Sequence, residues 1–185
     1  LYTGGSEIVL KSNRDFGNFY LDRPLHHRLI IQTGLRLASK ALVTSDYLAT
    51  DVETITGTRP DTLPHFIDTD LFSPGNPDHS VVPFDCGDYI VTTSWLSKEH
   101  IIVKRLDLIL ELLYQSSCDL KLVLIGGDRG GRHYVEQKIK KLDITDQVYL
   151  LGNPSVEEKI SVIQGARIAL QPTLHEGFGM AILEA

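Results

Sequence analysis

From residue 89 onward, short apolar runs alternate with amphipathic stretches. Tyr89-Ile-Val-Thr-Thr93, Leu120-Lys-Leu-Val-Leu-Ile125, Val148-Tyr-Leu-Leu151 and Arg167-Ile-Ala-Leu170 read as strands. Between them, Leu106 to Tyr114, His133 to Leu142 and Val156 to Gln164 carry apolar residues at helical spacing. Strands that are apolar almost throughout, separated by amphipathic helices, specify a parallel sheet covered on both faces, an α/β fold. Ligands in such sheets sit at the carboxyl ends of the strands. Every polar or glycine-rich segment singled out below follows a strand end.

The first part of the chain is less regular. Residues 1–23 are polar and mixed, and from Pro24 onward Leu25, Leu29, Ile30, Leu35, Leu37 and Ala41 recur at roughly helical spacing. Proline suits a helix's first turn. Ala41-Leu-Val-Thr-Ser45 reads as a strand, Asp46 as the N-cap of a helix through about Ile55, and Gly57 as its stop. Thr62-Leu-Pro-His-Phe-Ile67 reads as a strand leaving it. Residues 68–88 are rich in Pro, Gly and Asp and form the best linker candidate. The expected division is therefore a first-domain remnant over 1–73, a linker over 74–88 and an incomplete second domain over 89–185. The chain begins with Leu1 rather than Met and stops inside a helical pattern, so it is expected to be a piece cut at both ends.

Composition changes this picture little. At 42% hydrophobic and 23% charged, the 185 residues can bury a core. A formal charge of −6 argues against nucleic acid as the main partner. Cys86 and Cys118 show no C-x-x-C spacing and read as free thiols of a reducing, cytoplasmic compartment. No signal peptide or membrane-length apolar run is present. The seven histidines and the carboxylates form no H-E-x-x-H, no Cys/His cluster and no EF-hand spacing, so no metal is expected. There is no G-x-S-x-G nucleophile elbow.

The most informative stretch is His175-Glu-Gly-Phe-Gly-Met-Ala-Ile-Leu-Glu-Ala185. It sets Glu176 and Glu184 eight positions apart around a glycine-framed turn, after the strand at 167–170. A strand that ends in such a turn and opens a helix aims backbone N–H groups at an anion. A carboxylate on either side can accept hydrogen bonds from sugar hydroxyls, which a phosphate alone would not need. Gly126-Gly-Asp-Arg-Gly-Gly131-Arg132-His133 nearly has P-loop spacing. It fails at the chemistry, because Arg132 stands where the Lys belongs and His133 where magnesium needs Ser or Thr. It also lacks the G-x-G-x-x-G order, so neither an NTPase nor a dehydrogenase is indicated.

The string E-G-F-G-M-A-I-L-E resembles the E-x7-E signature of retaining glycosyltransferases of family four, which have the GT-B fold. The resemblance covers about residues 24–185 and is strongest over 89–185. It implies the tail of an N-terminal acceptor domain, a linker, and a Rossmann-like C-terminal donor domain. It places Glu176 near the transferred sugar, Glu184 on the nucleotide's ribose, and the amides of Gly177, Phe178, Gly179, Met180 and Ala181 on sugar and diphosphate. Lys104, in Lys-Arg-Leu-Asp-Leu-Ile, matches a family lysine that neutralises the diphosphate leaving group. Trp95 stands where the family carries Arg, and Trp has no guanidinium fork. Ser94, Lys98, Arg105, Gly127 and His175 are secondary candidates. Leu63-Pro-His-Phe-Ile-Asp-Thr-Asp-Leu-Phe-Ser-Pro74 is similar to the segment that closes the family's first domain, with His65-Phe66 where Asn-Gly is common. Thr3-Gly-Gly-Ser-Glu7 is similar to the family's N-terminal glycine loop, but too few residues separate it from Ser45 and the match reads as coincidence.

The implied reaction moves a sugar from a nucleotide-diphosphate sugar to an acceptor hydroxyl with retention, without cofactor or metal. The acceptor is a glycan, a lipid or a small molecule, and a lipid would bring peripheral membrane contact. The piece itself is expected to transfer little or nothing. Two rivals are weighed: another enzyme on this fold, such as a nucleotide-sugar 2-epimerase or a phosphorylase, and a non-catalytic nucleotide-binding module.

Overall fold

Alternation along the strands of the second half decides how its core divides. The computed structural model describes residues 2–3, 10, 12–13, 17–18, 20–116 and 119–185. Cys118 and the loop expected at Gly4–Glu7 lie outside the described residues. The chain forms two units, residues 1–66 with 176–180, and residues 67–175 with 181–185.

In the second unit, β6 (Tyr89–Thr93), β7 (Lys121–Ile125), β8 (Val148–Gly152) and β9 (Ile168–Ala169) make a parallel sheet in the order β8-β7-β6-β9. Successive side chains of a strand point to opposite faces. Ile90, Leu122 and Leu124 therefore pack on one side with α4 (Leu106–Gln115) and α5 (Arg132–Lys141). Tyr89, Val91, Val123 and Ile125 pack on the other with α6 (Val156–Gly165). The α4 stripe of Leu106, Ile109, Leu110 and Leu113 is 1% exposed at each position. Each such side chain contributes about 2 kcal/mol of transfer free energy. α6 starts in a capping box, with the Ser155 hydroxyl accepting from Glu158 N and Glu158 accepting from Ser155 N.

Residues 67–88 carry no regular element and pack on this unit. Gln164 Nε2 donates to Ser73 O at 2.7 Å, Asp78 N donates to the Ser161 hydroxyl, and Gly87 N donates to Gly165 O at 2.8 Å.

The first unit holds a parallel sheet of β1 (Tyr2–Thr3), β4 (Leu42–Val43) and β5 (Asp61–Thr62), with β4 central. β2 (Ser12–Asn13) and β3 (Gly17–Asn18) pair antiparallel. α1 (Leu25–Leu37) and α2 (Asp46–Thr56) pack around Tyr20, Leu35, Val43, Leu48, Ala49, Val52 and Ile55. Two α1 side chains close the end of α2. Gln32 Nε2 donates to Ile55 O at 2.7 Å and Arg36 Nε to Thr56 O at 3.1 Å, satisfying carbonyls a helix terminus leaves open.

Four sequence expectations need correction. Ser45, not Asp46, caps α2, its hydroxyl accepting from Leu48 N, and Asp46 is the first helical residue. The strand expected over 62–67 shrinks to Asp61–Thr62, because Pro64 has no N–H for a ladder. The apolar positions of α1 are mostly not core: Leu25, Leu29, Ile30 and Leu37 are 51–80% exposed and only Leu35 is buried. Finally, α3 (Lys98–Val103) occupies what reads as a loop, capped by the Ser97 hydroxyl accepting from His100 N.

Candidate functional site at the carboxyl ends of the strands

The carboxyl ends of β6, β7 and β9 lie side by side because β6 is hydrogen-bonded to both neighbours. The segments leaving them are tied together by hydrogen bonds. After β6, Ser94 N donates to Ile125 O and Leu96 N to Gly127 O. Leu96 O in turn accepts from Arg129 N and Gly131 N, each at 2.8 Å. After β9, Gln171 Nε2 donates to Thr93 O at 3.1 Å. Leu174 N donates to Val103 O at 2.8 Å, and the Thr173 hydroxyl lies 3.2 Å from Val103 O and 2.7 Å from His175 O. The residue before Lys104 is thereby fixed against the loop that runs from β9 into the two-carboxylate motif.

Lys104 follows at once. It is the C-cap of α3, its N–H donating to His100 O, and the negative end of a helix dipole favours a cation. Arg105 follows in the left-handed region at φ 54 and starts α4, with its side chain exposed. Lys98 is exposed at the first turn of α3 and borders a cavity of about 340 Å³ that Ile101, Ile102 and Tyr134 line.

Ser94 is 3% exposed and its hydroxyl donates to Trp95 O at 3.0 Å. Trp95 itself is 41% exposed, and the Arg129 guanidinium stacks on it with Cζ 4.0 Å from the ring centroid. Gly126 and Gly127 are explained by neighbours inside the fold. A Cβ on Gly126, which has φ +153, would stand 1.9 Å from Ser94 O, and one on Gly127 would stand 2.4 Å from the Asn153 side chain. Asp128 Oδ1 accepts from the N–H groups of Gly130, Gly131 and Arg132 at 2.8 to 3.1 Å. These bonds, led by the one from Arg132 N, hold its carboxyl below the usual range. They also occupy the N–H groups of the N-cap Gly131 and of Arg132, the first residue of α5.

The motif divides between the two units. His175 belongs to the second, Glu176 to Met180 pack with the first, and Ala181 to Ala185 return to the second. In the first unit, the buried Thr44 hydroxyl donates to Gly177 O at 3.2 Å, and the Phe178 ring meets His65 edge-on with centroids 5.4 Å apart. Glu176 is half-buried, and Gly179 is buried with φ +91, a value open to glycine without strain. A short helix, α7 (Met180–Leu183), follows. In the second unit, Glu184 Oε2 accepts from Lys159 Nζ of α6 at 2.5 Å, with side-chain exposures of 14% and 22%.

Lys159, Arg129, Thr44 and Thr173 are therefore additions to the sequence-derived set. Nothing local in the sequence marks them, since each meets its partner only through strand order or a long loop. Among the described residues no group of three or more His, Cys, Asp or Glu side chains is arranged to hold a metal ion. No helix among them is long and apolar enough to cross a membrane.

Residues 95–185 match the family model described as glycosyl transferases group 1. No curated protein matches the sequence. Among solved structures, HepE of Anabaena in complex with UDP and glucose superposes with a TM-score of 0.72 at 16% identity, over 88% of this chain and 46% of that one. Sucrose-phosphate synthase of Thermosynechococcus elongatus gives 0.73 at 18%, over 89% and 42%. TarM of S. aureus, in a mutant form with fondaparinux, alpha-GlcNAc-glycerol and UDP, gives 0.68 at 15%, over 92% and 33%. The α/β fold is thus that of GT-B glycosyltransferases, and the chain spans under half the length of these structures.

Proposed function

We propose that the protein is a glycosyltransferase that takes a sugar from a nucleotide-diphosphate donor and passes it to an acceptor hydroxyl with retention at the anomeric carbon. The observation that carries this reading is the backbone junction at Val103, which fixes the residue before Lys104 against the segment entering the two-carboxylate motif. A cation beside the segment that enters that motif is what a departing diphosphate requires. The match over residues 95–185 and the UDP-bound neighbours support the same chemistry.

In this reading Lys104 neutralises the leaving diphosphate, and the amides from Gly177 to Ala181 bind sugar and phosphate oxygens. Glu184 accepts from the ribose hydroxyls through Oε1 while Lys159 holds Oε2. Glu176 orients the sugar and stabilises the charge that develops on it; no second carboxylate is assigned as a covalent nucleophile. The donor site needs no metal, because lysine and backbone amides carry the phosphate charge. Residues 1–185 contribute donor recognition, the complete transfer belongs to the whole protein, and the compartment is cytoplasmic.

A thermal-shift titration with UDP, GDP and ADP, run beside Glu184→Ala, tests this. One nucleotide is expected to stabilise the protein, by about 2.7 kcal/mol at a hundredfold excess over its dissociation constant, and the variant to lose the effect. A nucleotide that stabilises both proteins equally would move the site away from Glu184. No shift with any of the three would count against the donor-site reading.

A further inference from the structure

We infer that Arg129, stacked on Trp95, is a phosphate-binding residue that grips the terminal phosphate of a nucleoside diphosphate. The inference rests on the donor-site reading above and names a contact within it.

Position comes first. Trp95 leaves β6 and Arg129 leaves β7, and these adjacent strands are the two centre members of the sheet. Their carboxyl ends form the edge at which parallel sheets take ligands. The two turns cannot drift apart, because Leu96 accepts from Arg129 N and Gly131 N and donates to Gly127 O. Arg129 is therefore held by its own backbone as well as by the ring beneath its side chain.

Electrostatics comes second. The neighbouring charges are already matched: Arg132 pairs with Glu136 at 2.7 Å, and Asp128 accepts from three amides. Among the described residues no carboxylate pairs with the Arg129 guanidinium, which is exposed. Asp128 already takes the amides of Gly130, Gly131 and Arg132 in this turn. Arg129 is thus the positive group this turn presents to an anion.

Shape comes third. A guanidinium whose Cζ stands 4.0 Å over an indole is held there by the ring and still has N–H groups for a second partner. Those groups match two oxygens of a phosphate and are pre-aligned, so little side-chain entropy is lost on binding. An indole 41% exposed at a ligand edge also has a use, since it fixes the plane of the cation above it.

Isothermal titration of the protein with UDP, GDP and ADP, and with the corresponding monophosphates, tests this on Arg129→Ala, Arg129→Lys, Trp95→Phe and Trp95→Ala. Arg129→Ala is expected to weaken the bound diphosphate by about tenfold to a hundredfold and the monophosphate by less than about threefold. Arg129→Lys should recover only part of the loss, having no planar fork. Trp95→Phe should stay near wild type, and Trp95→Ala should follow Arg129→Ala. Arg129 is exposed, so its variants remain informative even where Trp95→Ala fails to fold. An Arg129→Ala protein within twofold of wild type for the diphosphate, while Glu184→Ala loses it, would overturn the inference and leave the donor-site reading standing. Equal losses for mono- and diphosphate would overturn the assignment to the terminal phosphate. A wild-type protein that binds none of these nucleotides would overturn both.

Discussion

Replacing Lys159 with Met removes the charge that faces Glu184 and keeps most of the side-chain volume. The two groups are 2.5 Å apart, and their side chains retain 22% and 14% exposure. At an effective dielectric constant of about 20, the gross attraction is on the order of 6 kcal/mol. Most of that is cancelled by the water each ion gives up. Exposed pairs end near 0–1 kcal/mol, whereas breaking a fully buried pair costs about 3–5 kcal/mol. With about a fifth of each side chain still wet, a net coupling of about 2 kcal/mol is expected. The chain's single tryptophan, Trp95, lies in the second unit, so its fluorescence in urea reports the unfolding of the unit that contains the pair. A cycle of Lys159→Met, Glu184→Gln and the double variant should make the double cost about 2 kcal/mol less than the sum of the singles, with unchanged denaturant slopes. A coupling below about 0.5 kcal/mol would show that the contact holds nothing in place, and the role of Lys159 in setting Glu184 would be refuted.

Four further outcomes are expected. Tyr89 is 1% exposed and donates to Val162 O at 2.8 Å, so Tyr89→Phe should cost about 1–3 kcal/mol in the same urea assay. Burial pushes the Tyr89 hydroxyl up to about 12 from the ordinary value of 10. Its stabilising effect is thus complete below pH 10 and lost as pH rises from 10 to 12, and the gap between wild type and Tyr89→Phe should close over that window. Asp128→Ala should speed hydrogen exchange at residues 130–132. Because the Asp128 carboxyl is held below its ordinary value of 3.8, its contribution exists above that pH and disappears as pH falls below it, so acid should erase the difference from wild type. Gly126→Ala, with its new Cβ 1.9 Å from Ser94 O, should give insoluble protein, whereas Gly130→Ala meets nothing within 4 Å but puts a side chain at φ +87, and should cost about 1–2 kcal/mol in a melt. Under the proposed function, Glu176→Gln should reduce sugar transfer at least about a hundredfold, and full activity in the variant would remove Glu176 from the proposal.

Period and local chemistry carry a good deal of this protein. Tyr89–Thr93 is a strand in both readings, and the helices at 106–115, 132–141 and 156–165 fall within two residues of their apolar repeats. These elements are long, and their periodicity is unambiguous. The glycine-framed pair of carboxylates is legible for the same reason: the turn and the start of the helix are local events. α3 was not legible, because six residues ending in Ile-Ile-Val barely complete a turn and a half and carry β-branched side chains that weaken a helix signal. Helical spacing marks α1 but does not say which of its apolar residues find a core, so Leu35 is buried while Leu37 is not.

The charges around the site belong to tertiary structure alone. Glu184 meets Lys159 across 25 residues, and Arg129 meets Trp95 only because β6 and β7 are neighbours in the sheet. Local pattern marks the long strands and helices and the turns that could present polar groups, since those depend on residues a few positions apart. Which cation stands beside which carboxylate or ring was decided by strand order and by backbone contacts between turns, and no local pattern encodes either.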